Sequence, residues 1–107
     1  MIEVEEPDNV KLGKAYLRTV ISNDTIENYE IEIIQIDTSH STKNILFKIK
    51  DPELLKNTGG VVAGMSGSPI IQNDKIIGAV THVVVNEPDK GYGIFITTML
   101  EEGENRD

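Results

Sequence analysis

The chain has 107 residues, with 18 acidic side chains against 10 Lys or Arg and a formal net charge of −8 at pH 7. That balance lacks the clustered cations a nucleic-acid or anionic-membrane partner requires, and the absence of cysteine excludes a disulfide framework, a thiolate metal site and a cysteine nucleophile. The length fits one domain with a modest core. No apolar run approaches the ~20 residues of a membrane span, and the acidic start has no signal-peptide plan.

In chain order, Glu3-Val4-Glu5-Glu6 reads as a solvated tail, as does Glu101-Glu102-Gly103-Glu104 at the other end. The first predicted strand runs from about Gly13 to Ser22 and ends in the turn-prone Ser22-Asn23-Asp24. A second, roughly Tyr29 to Asp37, alternates as Tyr29, Ile31, Ile33 and then changes phase to Ile34 and Ile36. Such a one-residue shift is the signature of a β-bulge, a device that lets small barrels close. The third strand, Lys43 to Lys50, points Ile45, Phe47 and Ile49 inward and Lys48 and Lys50 outward. A loop with a helical turn spans Asp51 to Ser68, where Asp51 is a good N-cap and Pro52 suits the first helical position.

Two further strands flank Asn73-Asp74, a hairpin signal, with the second running on to about Val85. Asn86 to Gly91 is a turn, and Tyr92 to Thr97 makes the sixth strand. The fold class is all-β, a six-stranded antiparallel barrel in a single domain over residues 1–107.

The chemistry concentrates in Gly64-Met65-Ser66-Gly67-Ser68-Pro69. A nucleophilic serine needs an exposed hydroxyl and backbone N–H donors within reach of the same reacting carbonyl. The amides of Gly64 and Ser66 are the candidates for that oxyanion hole. A Gly-Ser-rich hairpin loop is the alternative reading of the hexapeptide. The α/β-hydrolase elbow fails, because Ser68 stands where its second glycine belongs and a strand, not a helix, follows. A phosphate loop fails too, since no Gly-Lys-Ser/Thr follows Gly59-Gly60 or Gly64.

Loop, proline, apolar strand, tight turn and glycine-bearing strand follow one another as they do after the serine of trypsin-like peptidases. The six-strand count, with the serine after the third, is similar to their second barrel. Lys50-Asp51-Pro52-Glu53-Leu54-Leu55, the serine hexapeptide with Ile70-Ile71-Gln72, Ile77-Gly78-Ala79-Val80-Thr81-His82-Val83 and Asn86 to Phe95 resemble the stage IV sporulation protein B serine peptidases. The resemblance is dense over residues 49–100 and looser over 13–48.

It implies a serine endopeptidase of endospore-forming bacteria, exported or membrane-associated. Its substrate is a regulatory membrane-protein complex, whose cleavage triggers late sigma-factor processing. By position, Ser66 is the nucleophile and Asp51, fifteen residues earlier, the acidic member. The family's catalytic histidine lies in an upstream Gly-His motif. That motif, a PDZ-like domain and a membrane anchor are not within these 107 residues, so the isolated chain is expected to be inactive.

His40 lies in a polar turn and reads as a plain surface histidine. His82, sixteen residues after Ser66, is expected to face the same way as Ile76, Val80 and Val84. It is a candidate for reading the P1 side chain in the specificity pocket, with a packed core histidine as the alternative. The two histidines stand forty-two residues apart without a carboxylate cluster, short of a zinc pattern, and no cofactor is indicated. A different functional class stays open: a catalytically silent barrel that binds an extended peptide or partner domain by strand addition. A half-barrel peptidase exposes the face that its partner barrel would bury, so self-association through that face is expected.

Overall fold

Branched apolar residues at every second position, broken by polar turns, fold here into strands that bury one face each. The computed structural model describes residues 3–4, 9–20, 26–59, 65–84 and 86–97. Its elements are β1 (Glu3–Val4), β2 (Gly13–Val20), β3 (Ile26–Ile36), β4 (Ile45–Ile49), α1 (Pro52–Thr58), β5 (Pro69–Gln72), β6 (Lys75–Val83) and β7 (Lys90–Phe95).

β2 to β7 form a closed six-stranded antiparallel barrel in the order β6-β5-β2-β3-β4-β7, and β7 returns to pair with β6. The barrel interior is filled by alternate residues of these strands, among them Leu17, Ile31, Phe47 and Ile70, each with no exposed surface. Leu54 of α1, also fully buried, joins the same cluster. Closure brings β6 and β7 backbones into contact at Gly78, where a Cβ would run into the Ile94 carbonyl oxygen. A side chain there is incompatible with the seam.

Three bulges shape the barrel. One falls between Ile33 and Gln35, where the phase change in the sequence places it. The extra residue, Ile34, is 36% exposed rather than inward, whereas Ile36 packs against the core. The others lie on β6, at Ile77 opposite β5 and at Thr81 opposite β7. The Asn73-Asp74 turn has φ of 53° and 65°, the two positive values a type I′ hairpin turn demands.

Two expectations are corrected. Glu3–Val4 is not merely tail but pairs in parallel with Lys75–Ile76 of β6. The last strand begins two residues before Tyr92, because Lys90 and Gly91 already pair with Lys48 and Phe47 across β4. It ends at Phe95, and Ile96 and Thr97 are helical. The expected turn at Ser22-Asn23-Asp24, the C-terminal acidic stretch, Gly60, Gly64 and Val85 lie outside the described residues.

Candidate active site

Ser66 rides on a tight turn between α1 and β5. Met65 is 2% exposed and acts as the buried foot of the turn, so the next side chain is thrown outward; Ser66 is exposed. The Ser68 amide donates to the Met65 carbonyl at 2.9 Å, closing a four-residue turn. Gly67, its third residue, has φ +87°, a value L side chains rarely adopt. This explains the glycine after the serine by backbone geometry.

The turn is stapled to β6 on one side and to β2 on the other. The Gly67 amide donates to the Val80 carbonyl at 2.8 Å, and the Val80 amide donates to the Ser68 carbonyl at 3.0 Å. On the other side the Ser68 hydroxyl donates to Thr19 Oγ1 at 3.2 Å. Thr19 is 7% exposed. Its signal in the sequence was a polar residue on the inward phase set by Ala15 and Leu17. Neither the amide nor the hydroxyl of Ser66 is hydrogen-bonded to a described residue.

β5 pairs with β6 only as far as Pro69 opposite Ala79. Beyond the Val80 contacts, no described residue pairs with that side of Thr81–Val83. Among the described residues, that edge of Thr81–Val83 beside the exposed serine has no strand partner; an unpaired edge is the kind of surface an extended chain can join.

Asp51 caps α1. Its Oδ1 accepts from the amides of Glu53 at 2.9 Å and Leu54 at 3.1 Å. Its own amide donates to the Glu30 carbonyl at 3.1 Å. No hydrogen bond joins Asp51 to Ser66 among the described residues. The two elements nevertheless share one side of the barrel. Thr19, which anchors the serine turn, is opposite Glu27 of β3. Glu27 lies three residues, or about 10 Å, along that strand from Glu30. Between them Tyr29 is buried and donates to Glu27 Oε2 at 2.9 Å. Burial, then the Glu27 carboxylate, pushes its phenol up to about 12.

The Thr81 bulge turns His82 away from the face that carries Val80: Val80 is 2% exposed, whereas His82 is exposed and stands opposite Tyr92 of β7. The shared orientation expected for these residues does not hold, and His82 is no packed core residue. The Thr81 hydroxyl donates to the Tyr92 carbonyl at 3.3 Å, and Thr81 Oγ1 lies 2.8 Å from His82 Nδ1. A carbonyl cannot donate. Both contacts are satisfied together only if the Nδ1 proton points at Thr81, which leaves Nε2 as an acceptor in the neutral ring.

His40 adopts the opposite tautomer. It is exposed, yet its Nδ1 accepts from the amides of Thr42 at 3.1 Å and Lys43 at 2.9 Å and so organises its loop. The buried Asn44 completes that loop, donating to the carbonyls of Asp37 and His40 and accepting from the Phe95 amide. Beside it a cleft of about 180 Å³ is lined by Gln35, Asp37, His40, Lys43, Asn44, Leu46 and Tyr92. Nothing in the sequence reading pointed to this cleft. Among the described residues no group of three or more His, Cys, Asp or Glu is placed to hold a metal ion.

A closed six-stranded antiparallel barrel with an exposed Gly-flanked serine at its rim is consistent with the barrel of a trypsin-like peptidase. The family profile described as SpoIVB peptidase S55 matches residues 1–100. The chain belongs to that family, and by that resemblance it is a peptidase. No curated protein and no solved structure matches it.

Proposed function

We propose that this chain carries the nucleophile of a serine endopeptidase of bacterial sporulation, whose regulatory proteolysis triggers late sigma-factor processing. The observation that carries the reading is Ser66, exposed on a turn stapled to β6, in a chain of the SpoIVB peptidase family. An extended peptide adds to the Thr81–Val83 edge and lays its scissile carbonyl against Ser66.

The hydroxyl oxygen attacks that carbonyl as its proton passes to a histidine contributed by the upstream Gly-His motif. The amides of Gly64 and Ser66 receive the developing oxyanion. Collapse expels the amine, which takes the proton back from the histidine, and leaves an acyl ester on Ser66. Water then hydrolyses the ester. Asp51 is the acidic member, and holding the first turn of α1 is compatible with that role. The substrate is a regulatory membrane-protein complex met outside the cytoplasm or at a membrane. The free barrel face takes a partner domain or a second copy.

His82 reads the P1 side chain. With its Nδ1 proton engaged by Thr81, Nε2 donates only when the ring is protonated. An unaltered P1 preference in His82→Ala refutes the assignment.

Fluorophosphonate labelling, read by intact mass with Ser66→Ala as control, tests the proposal in protein that includes the Gly-His motif. One adduct per chain, absent from the variant, is expected. No adduct on correctly folded protein overturns the enzyme reading in favour of a silent, peptide-binding barrel.

A further inference from the structure

Four residues stand in one row across the outer face of the barrel. Gln35 is opposite Leu46, Leu46 opposite Tyr92, and Tyr92 opposite His82. Directly opposed residues share a face of the sheet, and none of the four is buried. The row runs from β6, the strand that holds the serine turn, into the cleft between β7, β4 and the His40 loop. His82 lies about 7 Å along β6 from Val80, and Tyr92 about 5 Å across from His82. These legs are at right angles, so the cleft wall is about 9 Å from the staple of the serine turn, the reach of two or three extended residues.

Its chemistry is lopsided. Lys43 holds its ammonium over the Tyr92 ring, 5.3 Å from the centroid, and forms no ion pair with a described residue. Asp37, the acid of the cleft, is turned to its own loop. Its Oδ1 accepts from the Ser39 amide at 2.9 Å and the Ser39 hydroxyl at 2.6 Å, and these bonds hold its carboxyl below the usual range. The His40 ring spends Nδ1 on two backbone amides, so its remaining proton sits on Nε2 as a donor. The cleft therefore offers a cation, a ring N–H and an apolar wall of Leu46 and Tyr92. Its one carboxylate, on Asp37, stays ionised and directs Oδ1 to the Ser39 amide and hydroxyl of its own loop.

We propose that this cleft is an accessory subsite that takes an acidic side chain of the extended peptide, two or three residues from the scissile bond, with Lys43 determining the preference. The inference rests on the peptidase reading for its ligand, and the following experiment separates the two. Two N-acetylated hexapeptide amides, identical except for one glutamate or glutamine, are titrated into ¹⁵N-labelled Ser66→Ala chain. The glutamate peptide is expected to bind about fivefold more tightly and to shift the Lys43, Leu46 and Tyr92 amides. Lys43→Met is expected to abolish the difference and Lys43→Arg to retain it, with Lys56→Met, on α1, as the control that retains it.

Equal binding of the two peptides, or shifts confined to residues outside the cleft, overturns the subsite. So does a glutamate preference that survives in Lys43→Met. Glutamate-selective shifts at the cleft together with failed Ser66 labelling would instead refute the peptidase reading and leave an acidic-peptide site standing. Where labelling succeeds, the Glu-to-Gln ratio of KM in the cleaved series must collapse to about one in Lys43→Met; a ratio lost through kcat instead overturns the assignment.

Discussion

Replacing Asp51 separates its two roles, because asparagine caps a helix about as well as aspartate but carries no charge. In the structure one oxygen, Oδ1, accepts both first-turn amides, and the helix it starts has only 7 residues. Alanine at this position removes the acceptor from two amides, one of them on the fully buried Leu54. The expected cost is about 1–2 kcal/mol. Asparagine keeps an acceptor and forfeits only the interaction of a negative charge with the helix N-terminus, about 0.5 kcal/mol at a half-exposed site. For a chain of this size 1 kcal/mol corresponds to roughly 4 °C in Tm. Asp51→Ala should therefore melt about 4–8 °C below the parent, and Asp51→Asn about 2 °C below it, by calorimetry or circular dichroism at pH 7. Equal losses in the two variants would refute the capping geometry, as would an Asp51→Ala protein with unchanged Tm. Activity adds an independent axis. Asp51→Asn that keeps its fold but loses proteolysis in the complete enzyme establishes the catalytic role. Full proteolysis in the same variant leaves only the cap.

Thr19→Val removes the hydroxyl that receives the Ser68 bond while keeping shape, and should cost about 1 kcal/mol. Its diagnostic effect is faster hydrogen exchange of the Gly67 and Ser68 amides, which Thr19→Ser should reverse; unchanged exchange would show that Thr19 does not hold the turn. Tyr29 predicts a pH window. Its folded pKa, about 12, exceeds the ordinary value of 10.0, so the native state holds that proton more tightly than the unfolded chain does. The contribution is intact below pH 10 and lost as pH rises from about 10 to 12. Denaturant midpoints should fall across that interval and fall less in Tyr29→Phe, which should also lack the latest step of the 295 nm titration.

The barrel was legible because burial imposes a period of two and the turn chemistry is local. Ile45, Phe47 and Ile49 alternate in the sequence and are all buried in β4. The break after Ile33 announced a bulge, and Asn73-Asp74 announced a hairpin turn whose positive φ values those residues tolerate. The glycine after Ser66 and the aspartate before Pro52 likewise declare their backbone roles without any tertiary partner.

Other features depend on strands that meet only when the barrel closes. No local pattern reveals that Thr81 is an extra residue on β6, yet that bulge decides that His82 faces solvent beside Tyr92 while Val80 faces the core. The parallel pairing of Glu3–Val4 with β6 joins segments more than seventy residues apart. The Thr19–Ser68 bond, 49 residues apart in sequence, and the row from Gln35 to His82 are likewise products of register. The sequence by itself determined most of the strands and the hairpin turn at Asn73-Asp74, since each follows from the stereochemistry of a few neighbouring residues. Only the tertiary structure decided which strands flank Ser66 and which side chains stand in one row with His82, because register between distant strands is set by closure of the whole barrel.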